Sequence, residues 1–125
     1  MKLSFTALPD EYAICRLPAD APLPDWADGD GLVSVTRADD ELSIVCKEDR
    51  VPPGVRPQGG WSALKVETLA DLDEAGVVMA AVTPISSVGL GVFVISTHLR
   101  DYLLVRTTEM ARARTILTTA GHSIA

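Results

Sequence analysis

Sliding the chain against itself by 60 positions sets Pro24 on Pro84, Gly29 on Gly89 and Gly31 on Gly91. The same offset sets Val35 on Ile95, Thr36 on Ser96, Glu41 on Asp101 and Val45 on Val105. The matches keep one order: a proline, two glycines that open an apolar run, and an acid after the next turn. A chain of 125 residues then reads as two related units of about sixty residues, a size at which units gain stability by burying faces against each other. The expected division is 1–60 and 61–125, packed as one pair.

Local patterns give each unit its elements. Leu3–Leu8, Glu11–Leu17, Leu32–Thr36 and Leu42–Lys47 are short apolar runs parted by Pro-Asp, Asp-Gly-Asp-Gly and Ala-Asp-Asp, the signature of strands and turns. Ala38-Asp39-Asp40 predicts a hairpin turn. Arg50–Gly60, rich in Pro and Gly, reads as a loop, and Trp61–Glu67 as the next strand. From Gly76 to Val88 the period changes to that of a helix so apolar that it should be largely buried, with Pro84 expected to kink or divide it. Val92–Thr97 and Asp101–Arg106 are two further strands. Thr107-Thr108-Glu109 opens a helix to about Ala120, with Gly121 as its stop. Strand–helix–strand–strand–helix is most of a ferredoxin-like βαββαβ unit without its last strand, which Leu3–Leu8 can supply from the N-terminus. The fold class is therefore α+β: two βαββαβ units with antiparallel sheets and helices on one face, the first with its helices shortened by proline-rich segments.

Composition narrows the partners. Eleven Lys and Arg against seventeen Asp and Glu give a net charge of −6, and aromatics are 5% of the chain. Both argue against a nucleic-acid-coating surface, which needs a basic face and stacking platforms. With 47% hydrophobic residues and a mean hydropathy of +0.21 the chain has material for a folded, aliphatic core. Twelve of the acids lie in residues 1–67, mostly in turns. No apolar run reaches the ~18 residues of a spanning helix, and Pro9-Asp10-Glu11 interrupts any signal-like start, so a cytoplasmic location without membrane contact is expected. Cys15 and Cys46 lack the spacing for zinc or redox work and read as small buried hydrophobes.

Three runs resemble a known family. Glu41-Leu42-Ser43-Ile44-Val45-Cys46, Gly60-Trp61-Ser62-Ala63-Leu64-Lys65-Val66-Glu67 and Ile95-Ser96-Thr97-His98-Leu99-Arg100-Asp101-Tyr102-Leu103-Leu104-Val105 followed by a helix are similar to the tandem ACT-domain proteins of the aspartate-kinase-like group. The CASTOR arginine sensors contain the same module. The resemblance spans about Tyr12 to His122. It implies βαββαβ units that pair side by side and bind small ligands, usually amino acids, at the interface between units, and it supplies no catalytic residues. His98 stands where members commonly have an aromatic residue, and Arg100 where they often have Thr or Asn. Those two changes put an arginine-like ligand preference in doubt.

For an amino-acid ligand the residues suggest a division of labour. An ammonium needs an acceptor, and Asp101, beside the Ser96–Thr97 end of its partner strand, can provide it. A carboxylate needs donors, and the free N–H groups at Gly76, Val77 and Val78 can provide them if a helix opens there, with Gly76 permitting close approach. Ser96 and Thr97 add hydroxyls and His98 borders the site. The plainer alternative, in which Asp101 ends a turn and Gly76 starts a helix, weighs about equally on motif alone. Other motifs carry less. Asp25-Trp26-Ala27-Asp28-Gly29-Asp30-Gly31 fails as a calcium loop because Leu32 and Val33 follow. Gly89-Leu90-Gly91 follows a helix and is a turn, not a dinucleotide fingerprint. His122 fits a structural role, Trp26 and Trp61 fit packing, and Arg106, Arg112 and Arg114 fit a solvated helix face.

Two functions stand: a regulatory module sensing an amino acid or similar small metabolite, or a structural adaptor that dimerises around a non-functional pocket. No nucleophile–base or metal constellation supports an enzyme, and no cofactor is implied. Exposed sheet edges predict a homodimer.

Overall fold

The computed structural model describes every residue except Arg56, and the backbone alone at Pro57 and Gln58. The chain divides into two compact units, Asp10–Trp61 and Met1–Pro9 with Ser62–Ala125, called the first and second unit below. Its elements are β1 (Ser4–Ala7), β2 (Tyr12–Leu17), β3 (Ser34–Arg37), β4 (Leu42–Lys47), β5 (Pro57–Val66), α1 (Val77–Ser87), β6 (Phe93–Ser96), β7 (Asp101–Arg106), α2 (Met110–Thr119) and β8 (Ser123–Ile124).

In the first unit the strand order is β3-β4-β2-β5. β2 lies antiparallel to β4 from Tyr12↔Lys47 to Leu17↔Leu42, and to the start of β5 at Cys15↔Pro57 and Ile14↔Gln58. The strand therefore begins four residues before Trp61, inside the segment read as loop. Two 3-10 turns, Asp25–Ala27 and Glu48–Arg50, stand where helices were expected to be shortened. Proline explains the second. Val51 at its end is extended (φ −73°, ψ 120°) because Pro52 follows and disfavours the helical region for the residue before it. Ala27, with Trp26 and Val51 partly buried, covers a small core of Ala13, Cys15, Leu42, Ile44 and Cys46.

The second unit has the order β6-β7-β5-β1-β8. β1 runs antiparallel to β5 with Phe5↔Val66 in register and parallel to the two-residue β8, a strand that no sequence pattern announced. Its core draws Phe5, Leu64, Val66, Leu103 and Val105 from the sheet and Val77, Ala81, Ile85, Ala113 and Leu117 from the helices, so both helices lie on one sheet face. Burial of α1 is narrower than its composition suggested: Val77, Ala81 and Ile85, four residues apart, are buried, whereas Val78 and Met79 are exposed.

Pro84 does not divide α1, which is one helix from Val77 to Ser87. Proline has no N–H to give the carbonyl four residues earlier, that of Ala80, and a side chain takes over. Leu3 N–H donates to His122 Nδ1 (2.9 Å), so the neutral ring carries its proton on Nε2, 3.0 Å from the Ala80 carbonyl oxygen. His122 is 5% exposed and meets Phe5 edge-on at 5.6 Å between centroids. One imidazole thus ties β1, α1 and the C-terminal segment together.

The two hairpins share one ladder, at an offset that differs from that of the glycines. Ser34↔Val45 and Arg37↔Leu42 close the β3–β4 ladder; Phe93↔Leu104 and Ser96↔Asp101 close β6–β7. Every pair is displaced by 59 positions, and the 3-10 turns Glu48–Arg50 and Thr107–Glu109 by the same amount. The glycines match at 60, so the loop before the strand is one residue longer in the first unit. Because strand side chains alternate, a one-residue slip exchanges faces. Leu42, not Glu41, is therefore the equivalent of Asp101, and Glu41 is the equivalent of Arg100.

Candidate functional site

The β6–β7 hairpin, the start of α1 and the segment 68–74 line an open cavity of about 420 Å³ that lies wholly within the second unit. Its wall brings together Ser96, Thr97, His98, Asp101 and Val77, five of the six residues singled out by sequence, along with Val78 and Arg100. Gly76 does not line it. That glycine is instead the residue before the first turn of α1, at φ 90° and ψ −8°, a left-handed conformation that a side chain would strain.

Each wall residue has a local cause. The tight turn is closed by Thr97 N–H donating to the Arg100 carbonyl (2.9 Å). The Thr97 hydroxyl repeats that bond (2.8 Å) and accepts from Arg100 N–H (3.2 Å), so Thr97 is committed to holding the turn. Ser96 Oγ donates to Asp101 Oδ1 (2.6 Å). A carboxylate has about four acceptor sites; this bond occupies one and leaves the others for a cation. The first backbone bond of α1 is Ala80 N–H to the Gly76 carbonyl (2.9 Å). No side chain caps the helix, which leaves the N–H groups of Val77, Val78 and Met79 at the positive end of its dipole. His98 and Leu99 sit at the exposed tip.

Arg100 was noticed only as a departure from the family pattern, yet it is the most constrained cation here. Its side chain is 13% exposed, and Nη1 lies 2.6 Å from Glu67 Oε1 and 3.3 Å from the Val66 carbonyl oxygen. Glu67 Oε2 accepts from the Thr6 hydroxyl (2.7 Å), and Lys65 Nζ stands 3.4 Å from Oε1. The Thr6 hydrogen bond, with the Lys65 and Arg100 charges, holds the Glu67 carboxyl below the usual glutamate range. Sequence offered a signal for this pair only in hindsight: Glu67 and Arg100 are 33 positions apart, on separate strands.

The other sequence candidates are elsewhere. Cys15 and Cys46 are buried and free in the first unit's core; burial pushes the Cys15 thiol up to about 11 and raises Cys46 as well. The Asp25–Gly31 segment is tied down by its own bonds: Asp28 accepts from Gly29 N–H, and Arg50 donates to the Asp30 carbonyl. Among the described residues, no three His, Cys, Asp or Glu converge as a metal site, and no helix is long and apolar enough to cross a membrane.

Comparison with known proteins adds the following. A family model of the ACT domain matches residues 57–119, and a model of an N-terminal domain matches residues 10–54. The chain is similar to a solved protein from Agobacterium tumefaciens, with 44% identity and a TM-score of 0.95 over 100% of this chain and 93% of that one. It shares its fold with the ligand-free regulatory subunit of aspartate kinase from Thermus thermophilus: 10% identity, TM-score 0.66, 94% of this chain and 97% of that one. The fold also matches a Vibrio cholerae protein of unknown function, described as a possible transport protein, at 17% identity and TM-score 0.77 over 95% and 90% of the two chains. A search of the curated proteins finds no match.

Proposed function

We propose that this chain, which belongs to the ACT-domain family, is a regulatory module that binds an amino acid or similar small metabolite in the cavity of its second unit. The observation that carries the reading is the pairing, in one cavity wall, of the Asp101 carboxylate with the uncapped start of α1. An α-amino acid presents an ammonium and a carboxylate a few ångströms apart. Asp101 accepts from the first, and the N–H groups of Val77 and Val78 donate to the second. Ser96 orients Asp101, Thr97 fixes the turn, and Gly76 supplies the left-handed backbone from which α1 starts. The fold shared with an aspartate kinase regulatory subunit supports regulation rather than catalysis.

A ligand regulates only by its different affinity for two states. Assembly is the state we assign: a homodimer whose equilibrium the ligand biases. Thermal unfolding against the twenty amino acids tests binding directly, because a ligand at 100 times its Kd stabilises by about 2.7 kcal/mol. At least one amino acid is expected to raise Tm, and Asp101→Ala to abolish the rise. Light scattering on the eluting protein with and without that ligand tests assembly. If no amino acid raises Tm, the sensing role is wrong, and a dimer that persists would leave only the adaptor role.

A further inference from the structure

Resting on the amino-acid-binding reading above, we infer that Arg100 makes the cavity selective for a ligand with an anionic side chain, an acidic amino acid of the aspartate or glutamate type. The zwitterionic part of any amino acid is met by Asp101 and the start of α1, neither of which distinguishes one side chain from another. Arg100 is a further group in the same wall, and it has donors to spare. A guanidinium carries five N–H groups. The two on Nη1 go to Glu67 and Val66. The remaining three, on Nε and Nη2, make no hydrogen bond within the protein among the described residues, and that edge is the one that grips a carboxylate with two parallel bonds.

Glu67 does not cancel this cation. It also faces Lys65, so the trio of Arg100, Lys65 and Glu67 keeps a formal charge of +1 beside the cavity. The effect of Glu67 is geometric: anchored by Thr6, it holds the guanidinium in one orientation before a ligand arrives, which lowers the ordering cost of binding. The opposing charges are Asp101, which the ligand's ammonium neutralises, and Asp71 and Glu74, which also border the cavity but are exposed on their loop. Charges in water are screened several-fold more strongly than one in a largely buried side chain, so Arg100 decides the sign that the ligand's side chain must carry.

The test pairs each acid with its amide of nearly equal shape: titration calorimetry of L-aspartate against L-asparagine and L-glutamate against L-glutamine, with L-lysine and L-arginine added. The intact protein is expected to bind one acid at least tenfold more tightly than its amide. Arg100→Gln should bring that ratio within about threefold, and Glu67→Gln, whose amide oxygen can still accept from Nη1 and hold the guanidinium, should preserve it; Tm of each variant shows that it is folded. Amides binding as well as acids, lysine or arginine binding best, or discrimination surviving in Arg100→Gln overturns the inference while leaving amino-acid binding intact. Failure of all twenty amino acids to bind the folded protein instead overturns the binding reading itself, and this inference with it.

Discussion

The two hairpins of this molecule share a ladder and differ at its closed end. Arg37↔Leu42 closes one and Ser96↔Asp101 the other, each with the same backbone bond across the turn, Ala38 N–H to the Glu41 carbonyl and Thr97 N–H to the Arg100 carbonyl. Yet Leu42 is wholly buried in the first unit's core, whereas Asp101 lines a cavity. The segments that follow diverge in the same direction. After the 3-10 turn at Thr107–Glu109, Met110 is helical and α2 continues; after Glu48–Arg50, the prolines forbid it. One unit fills the space beside its hairpin with a small apolar core, and the other covers its sheet with helices and leaves a hollow at the start of one. A shared ladder alone does not make two sites: the register position read as leucine or aspartate, together with the start of α1 beside it, separates scaffold from candidate site.

Exchanging those two residues is the severest way to break the comparison. Leu42→Asp places an unpaired carboxylate in an apolar core and should cost about 4 kcal/mol or more, read as a fall in the urea midpoint. Asp101→Leu should change stability by less than about 1 kcal/mol, as a partly exposed site allows, while eliminating ligand-induced stabilisation. Equal stability losses in the two variants would show the positions to be alike.

The next effect concerns a device that only the second unit has. His122→Phe keeps the ring but leaves the Leu3 N–H and the Ala80 carbonyl without partners, at about 2–4 kcal/mol for the two buried groups. Pro84→Ala supplies the missing helical donor. On its own it should be nearly neutral, and in the His122→Phe background it should recover about 1 kcal/mol, a coupling that a double-mutant cycle resolves. Additive losses would refute the assignment of the Ala80 carbonyl to His122.

Smaller effects follow from the titrating groups. The raised thiols of Cys15 and Cys46 should leave the native protein unreactive to iodoacetamide near pH 8, since the thiolate is the nucleophile. Labelling should begin only as the first unit opens. Glu67, whose folded value is lowered, contributes stability that is present above its ordinary value of 4.5 and is lost as pH falls through the folded one. Glu67→Gln should accordingly flatten the stability curve slightly below pH 4.5, where chemical denaturation at several pH values would show it. An unchanged acid limb would deny Glu67 that role.

Much of this was legible in the residues because it rests on local pattern. Alternation marked the strands, and Asp101–Arg106 and Leu42–Lys47 match their observed limits. Gly76 and Gly121 marked where helices begin and end. The hidden parts depend on partners far apart in the chain. The fate of Pro84 hung on a histidine 38 positions later, and the orientation of Arg100 on a glutamate 33 positions earlier. The repeat was visible, but glycines in a loop fixed its offset one residue away from that of the strands. That slip paired Asp101 with Glu41 and concealed the leucine at the equivalent place. The cavity was approached through Ser96, Thr97 and Asp101 because turn chemistry and ligand chemistry use the same residue types. For the same reason, Thr97 turned out to be committed to the turn.

Amide chemical shifts followed while the acidic amino acids are added test the central claim most directly, because they report on both hairpins at once. The account predicts saturable shifts at Val77–Met79 and Ser96–Asp101, with Ser34–Val45 unmoved, and none of these shifts in Asp101→Leu. Shifts centred on the first unit's hairpin, or equal shifts in both, would contradict it.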